Sequence, residues 1–128
     1  MKRGGILHPG ISHLLASTGH TAYFTICDRG FPVPDEPERI DLALVDGIPT
    51  VLDVLRGVHD EFVIDRVLMA EEALTVSPDW IASLREVLDD VPLMTVSHLE
   101  LKRLSHEGRA TIRTGDTALY ANLIIVSG

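Results

Sequence analysis

The chain has 128 residues, 11 basic against 19 acidic, a net charge of −8 and a mean hydropathy of +0.19. With no Lys/Arg cluster to offset the acidity, phosphate-backbone binding is disfavoured, and no apolar run approaches the roughly 18 residues of a membrane span. One cysteine excludes an intrachain disulfide framework and fits a reducing, cytoplasmic compartment; the basic start Met1-Lys2-Arg3 is followed by no apolar signal core. A chain of this size makes one domain, and its 45% hydrophobic content points to apolar surface buried between subunits of a homo-oligomer.

Leu7 to Thr18 carries Ile11, Leu14 and Leu15 at helical spacing, with Gly19 as a natural stop. Tyr23 to Cys27 is short and β-rich, a strand. Asp28 to Glu38 holds three prolines and one glycine, so it is a loop. Ile40 to Val45 reads as a second strand, ended by Asp46-Gly47. Pro49 suits the first turn of a helix whose buried stripe is Val51, Leu52, Val54, Leu55 and Val58. Phe62 to Ala70 is a strand, and Ser77-Pro78 opens a helix through about Leu88. Pro92 to Val96 is a strand; Ser97-His98-Leu99-Glu100 matches a capping box and opens a helix through about Ser105. Thr111 to Arg113 is a short strand and Leu123 to Val126 a buried final one. Strands alternating with helices give an α/β fold with a layered, mostly buried sheet.

The chemistry-bearing residues cluster at strand and helix ends. His20 follows the first predicted helix, where the negative end of the helix dipole favours the imidazolium and suits a general acid; capping that helix is the structural alternative. Asp28, eight residues later, follows the apolar strand. It can anchor a substrate hydroxyl, orient a histidine, or form an Asx turn into the loop. Cys27 can pair with a histidine as a nucleophile, although free cysteines are more often buried. His98 and Lys102 stand one turn apart on the same helix face, able to present donors to oxygens or to lie in solvent. Tyr120 and Asn122, two apart before the last strand, share a side of an extended backbone and supply mixed donors and acceptors.

Arg39 and Asp41 flank Ile40 at strand spacing and read as a structural pair. Glu71 and Glu72 are adjacent, so on a strand they point to opposite faces, which disfavours a glycosidase-type pair. The six histidines, His8, His13, His20, His59, His98 and His106, show no zinc-type spacing, and there is no Walker loop or GxGxxG. Metal, nucleotide and dinucleotide binding therefore rank low.

In order along the chain, Gly19-His20-Thr21, Cys27-Asp28-x-Gly30-x-Pro32-x-Pro34, Arg39-Ile40-Asp41 with Gly47-x-Pro49, Ala70-Glu71-Glu72, His98-x-x-x-Lys102, and Ile112-Arg113-x-Gly115 leading to Tyr120-Ala121-Asn122 resemble the D-ribose pyranase family, within the wider ribose/fucose mutarotase group. The resemblance covers essentially the whole chain, and the Gly-x-Pro-x-Pro loop favours the ribose branch. It implies one domain over residues 1–128, in three α/β/α layers around a mixed sheet. It implies an isomerase acting on D-ribose without cofactor or metal, with His20 as general acid and Asp28, His98, Lys102, Tyr120 and Asn122 contacting the sugar. It further implies ring-shaped homo-oligomers, commonly decamers, with sites shared between subunits. A non-catalytic sugar-binding module associated with transport, or a mutarotase for a sugar such as fucose, are the alternatives. Arg29 and Phe31 depart from common members in the loop after Asp28 and bear on sugar preference; His13 and His106 match no family signature.

Overall fold

The computed structural model describes all 128 residues. In chain order they form α1 (Pro9–Ser17), β1 (Tyr23–Cys27), β2 (Glu38–Asp41), α2 (Val51–His59), β3 (Ile64–Ala70), α3 (Ala73–Val76), α4 (Pro78–Leu88), β4 (Leu93–Val96), α5 (His98–Ser105), β5 (Ala110–Arg113) and β6 (Leu123–Ser127). The six strands make one sheet in the order β2-β5-β1-β6-β3-β4. β2, β5 and β1 pair in parallel, as do β3 and β4, while β6 runs antiparallel to both β1 and β3. Only β6 therefore runs against the other five.

Strand alternation divides the core. Phe24 and Ile26 of β1, Val67 and Met69 of β3, and Leu123 and Ile125 of β6 face one side, where α1, α2 and α4 bury Leu14, Leu55 and Leu84. Their neighbours Cys27, Ala70, Ile124 and Val126 face the other side, where Leu101 of α5 packs with Phe31. The result is three layers, α1, α2 and α4 over the sheet and α5 beneath it. No helix is long and apolar enough to cross a membrane.

Several boundaries differ from the sequence reading for identifiable reasons. α1 begins at Pro9, because the imidazole Nδ1 of His8 accepts from the Ile11 amide at 3.2 Å and serves as the N-cap. β2 ends at Asp41, where its partner β5 ends at Arg113; the apolar residues beyond it turn back through a Val45–Ile48 bridge. Pro49 follows a cis peptide and precedes α2, which Thr50 and Asp53 open with a capping box. The four-residue α3 fills the gap before α4, and Ser77, ahead of Pro78, sends its hydroxyl to the Leu119 carbonyl at 2.7 Å instead of capping. Tyr120 is not extended: its φ is 60°, in the left-handed region.

The hairpin of residues 44–48 locks onto the turn after β5. Gly47 N–H donates to the Gly115 carbonyl at 2.6 Å, and Gly115 N–H donates to Pro49 at 2.9 Å. A Cβ on Gly115 would run into the Val45 carbonyl and come within 2.8 Å of the Ile48 carbonyl, both backbone atoms. Gly115→Ala is expected to destabilise the protein by about 2 kcal/mol, read as a lowered urea midpoint. A change below about 0.5 kcal/mol would show that the two segments separate freely.

Candidate functional site

The opposed direction of β6 sets the site. Because Ile26 and Met69 both pair with Leu123, the start of β6 lies beside the carboxyl ends of β1 and β3. β4 ends level with β3, Ala70 opposite Val96, so the first turn of α5 reaches the same edge. Segments distant in sequence thus converge outside the carboxyl ends of the parallel strands, where ligands bind open α/β sheets. A cavity of about 330 Å³ opens there, lined by Asp28, Gly30, Phe31, Pro32, His98, Lys102, Leu119, Tyr120 and Asn122.

Five of the six predicted site residues meet in it. Asp28 follows β1, and its Oδ1 accepts the Gly30 amide at 2.9 Å, the Asx turn that starts the loop. Burial pushes the Asp28 carboxyl above the usual carboxylate range; hydrogen bonds from the Gly30 amide, the Asn122 side chain and the Phe31 amide pull the other way. Asn122 is 1% exposed, and its Oδ1 accepts the Asp28 amide at 2.9 Å across 94 residues of chain. With its oxygen held by the backbone, the side-chain amide of Asn122 is the end left to donate.

His98 occupies the first position of α5. Its ring stands edge-on to Tyr120 (centroids 5.0 Å apart, planes at 85°) and to Phe31 (6.2 Å, 77°), and its Nδ1 is buried without a hydrogen-bond partner. Burial, then the Lys102 ammonium, hold the imidazole below its ordinary pKa, against the opposing pull of Glu72 and Asp28. The ring is therefore neutral near neutral pH. Lys102 joins it from one turn along, as the helical spacing predicts.

Tyr120 reaches the cavity by a different route from the extended backbone expected. A non-glycine residue at φ 60° costs on the order of 1–3 kcal/mol and persists where its surroundings hold it. Here Ser77 Oγ holds Leu119, Asp116 Oδ1 accepts the Ala118 amide at 2.9 Å, and Asn122 N–H donates back to the Tyr120 carbonyl at 2.8 Å. Asp116, which the sequence reading passed over, is 6% exposed. Its other oxygen accepts the Val51 amide at the start of α2 at 2.9 Å. The only hint in the sequence was its place in the Thr114-Gly115-Asp116 turn.

His20 lies elsewhere. It is exposed at the opposite end of β1, where Thr21 N–H donates to Ser127 at the end of β6. From Thr21 to Asp28 the chain advances about 20 Å at strand rise, so His20 cannot enter the cavity of its own chain. Cys27 is fully buried, and burial together with the adjacent Asp28 pushes its thiol up to about 12, which removes it as a nucleophile. Arg29 turns away from the cavity to pair with Asp46 at 2.8 Å, both exposed, whereas Phe31 forms part of its lining. Arg39 pairs with Asp41 at 3.0 Å, as the strand spacing predicts; Arg113 shares that carboxylate at 3.1 Å and donates from Nε to the Arg29 carbonyl. His13 is exposed on α1, and His106 borders a separate groove along α5 with Leu99 and Arg103.

One carboxyl, one amide, one ammonium, one imidazole and one phenol around a small cavity supply the mixed donors and acceptors that a compact polyhydroxylated molecule would use. The chain belongs to the RbsD / FucU transport protein family, whose model matches residues 1–128. It is 45% identical over its full length to the D-ribose pyranase of Geobacillus thermodenitrificans, covering 97% of that protein. To the D-ribose pyranase of Aliivibrio salmonicida it is 40% identical, covering all of this chain and 98% of that one. Among solved structures, RbsD of Bacillus subtilis complexed with D-ribose superposes with a TM-score of 0.94 at 34% identity, over 100% of this chain and 98% of that one. The fucose mutarotase of Streptococcus pneumoniae, in complex with L-fucose, shares the fold at a TM-score of 0.82 and 18% identity, with 100% and 98% covered.

The raised Asp28 carboxyl has a consequence for stability. The folded protein holds that proton more tightly than the unfolded chain does, so stability falls as pH rises from the unfolded value through the folded one. Above that window the buried charge remains a cost. Asp28→Asn is expected to keep the turn, raise Tm at pH 7 and flatten the dependence between pH 3 and 6, about the carboxylate range. Calorimetry across that range checks it, and a lower Tm for the variant at pH 7 would mean the carboxylate is stabilising.

Proposed function

We propose that the protein is an isomerase interconverting the pyranose and furanose forms of D-ribose, the D-ribose pyranase activity of its relatives. The observation that carries this reading is the convergence of Asp28, His98, Lys102, Tyr120 and Asn122 on one small cavity, in a chain 45% identical to such an enzyme. Likeness to the fucose mutarotase is of fold alone, at 18% identity, so ribose is the better-supported sugar.

The chemistry balances without a cofactor or metal. In ring opening the C1–O5 bond of the pyranose breaks, O5 takes up a proton and the C1 hydroxyl loses one, leaving an aldehyde. O4 then attacks C1, giving up its proton as the carbonyl oxygen gains one, and the furanose forms. A positioned proton donor at O5, with water or the Asp28 carboxylate taking the C1 hydroxyl proton, and hydroxyls held in place lower this modest barrier. His20 acts as the acid. Asp28 and Asn122 anchor hydroxyls, while His98, Lys102 and Tyr120 orient the ring oxygens. The placement of His20 at the far end of β1 supports its reaching the cavity of a neighbouring chain, in a homo-oligomeric ring, a decamer, of the kind the family resemblance implies. The protein works in the cytoplasm, where Cys27 remains a thiol.

Exchange measured by NMR saturation transfer is expected to be strong for wild type and nearly lost for His20→Ala, with ribose still bound. Undiminished exchange in the variant would remove His20 from the mechanism; binding without exchange in wild type would make the protein a sugar-binding module. The sharing of the site has its own measurement. When His20→Ala and Asp28→Asn chains are unfolded together and reassembled at random, about a quarter of the sites combine both intact halves. Activity is expected to return to that extent; no recovery would place the complete site within one chain.

A further inference from the structure

Glu72 belongs to a carboxylate pair that the ring chemistry does not use. It stands two residues beyond β3, at the cap of α3, and its neighbour Glu71 still donates from its amide to the Val96 carbonyl at 2.8 Å, extending the β3–β4 ladder. That register carries Glu72 to the first turn of α5. Both of its carboxylate oxygens lie 3.1 Å from the His98 amide, reaching across 26 residues of chain. Ser97 Oγ takes the Glu100 amide at 3.1 Å, but Glu100 does not return the bond to Ser97; its carboxylate holds Arg103 at 2.7 Å. Half of the predicted capping box is therefore missing, and a carboxylate from the end of a neighbouring strand ties down the first amide of the helix.

A helix cap alone would be a matter of stability. What makes this one different is the residue it holds: the amide belongs to His98, whose ring lines the cavity with Nδ1 buried and unpartnered between Phe31 and Tyr120. A small rotation of the first turn of α5 would move both that nitrogen and Lys102, one turn along. We propose that Glu72 is a positioning residue of the sugar site, which fixes the start of α5 through the His98 amide and so sets the direction of the His98 imidazole and the Lys102 ammonium. The proposal rests on the sugar-isomerase reading for its substrate, but not for its effect on His98.

The charge of Glu72 adds a signature that packing would not. The charged groups acting on the imidazole are Lys102 on its own helix, Glu72 from the end of β3 and Asp28 from the end of β1. Burial and Lys102 favour the neutral ring; Glu72 and Asp28 favour the cation. Removing the negative charge while keeping an oxygen on the amide shifts His98 further toward neutrality.

The test uses Glu72→Gln, Glu72→Ala and, as a control of equal charge change, the exposed Glu71→Gln. Glu72→Ala is expected to weaken D-ribose binding, by calorimetry, and to raise the KM of exchange about five- to tenfold, with a smaller fall in kcat. In Glu72→Gln the NMR titration of the His98 ring is expected to move to lower pH, with the rise in KM mostly restored; Glu71→Gln leaves titration and KM near wild type. A folded Glu72→Ala with unchanged affinity and KM, or an unmoved His98 titration in Glu72→Gln, would overturn the proposal. If Glu72→Ala does not fold, the Glu72→Gln titration decides. If wild type neither binds nor interconverts ribose, the substrate reading fails, and the same titration still decides whether Glu72 governs His98.

Discussion

The site depends on one strand running the wrong way. Were β6 parallel to β1 and β3, Asn122 would meet their amino ends, and neither Asp28 nor His98 would share a cavity with it. Because β6 is antiparallel to both, its first residues sit where β1, β3 and β4 finish. The Asp28 amide and Asn122 Oδ1 fasten that meeting at 2.9 Å. The bond orients a buried amide toward the cavity and starts the Asp28 loop at the same time. A side chain with one end satisfied by backbone presents its other end with little freedom, the pre-organisation that a hydroxyl-binding site needs.

The same opposition accounts for the position of His20. The end of β6 meets the beginning of β1, and there Thr21 binds Ser127, at the far edge of the sheet from Asn122. Each chain therefore carries the five polar groups of the cavity at one edge and an exposed histidine at the other. The mechanism proposed above uses both and so requires two chains, which on that proposal makes assembly part of the chemistry. Assembly also has apolar surface available, since Leu44, Val45, Ile48 and Leu99 stand more than half exposed.

Much of this arrangement is legible in the residues, and the remainder fails for physical reasons. Local patterns mark β1, β4, α4 and α5 to within a residue or two, because β-rich runs, Pro78 at the first helical position and the Ser97 cap act within one turn of backbone. β2 is misjudged because its length follows its partner β5 rather than its own apolar residues. Tyr120 looks extended beside the final strand, yet Ser77, Asp116 and Asn122 bend it: Asp116 and Asn122 act within the same turn, while Ser77 reaches in from the start of α4, 42 residues away. Glu72 and Asp116 escape notice for the same reason, since each acts on a backbone amide 26 or 65 residues away. The pocket's members are legible through the resemblance of their ordered motifs to the family; the groups that hold those members in place leave no local pattern.

Electrostatics explains why such supports are needed. The cavity holds one carboxyl that burial pushes toward the neutral form and one imidazole that burial and a lysine push the same way. Both shifts reduce the number of ions lining the cavity, which a ligand would otherwise have to strip of strongly held water. The opposing effects are hydrogen bonds from Gly30, Asn122 and Phe31 in the case of Asp28, and the negative charges of Glu72 and Asp28 in the case of His98. The protonation of both groups thus depends on a few oxygen and nitrogen atoms in fixed backbone geometry, so the turns around the cavity matter to it as much as the side chains that line it.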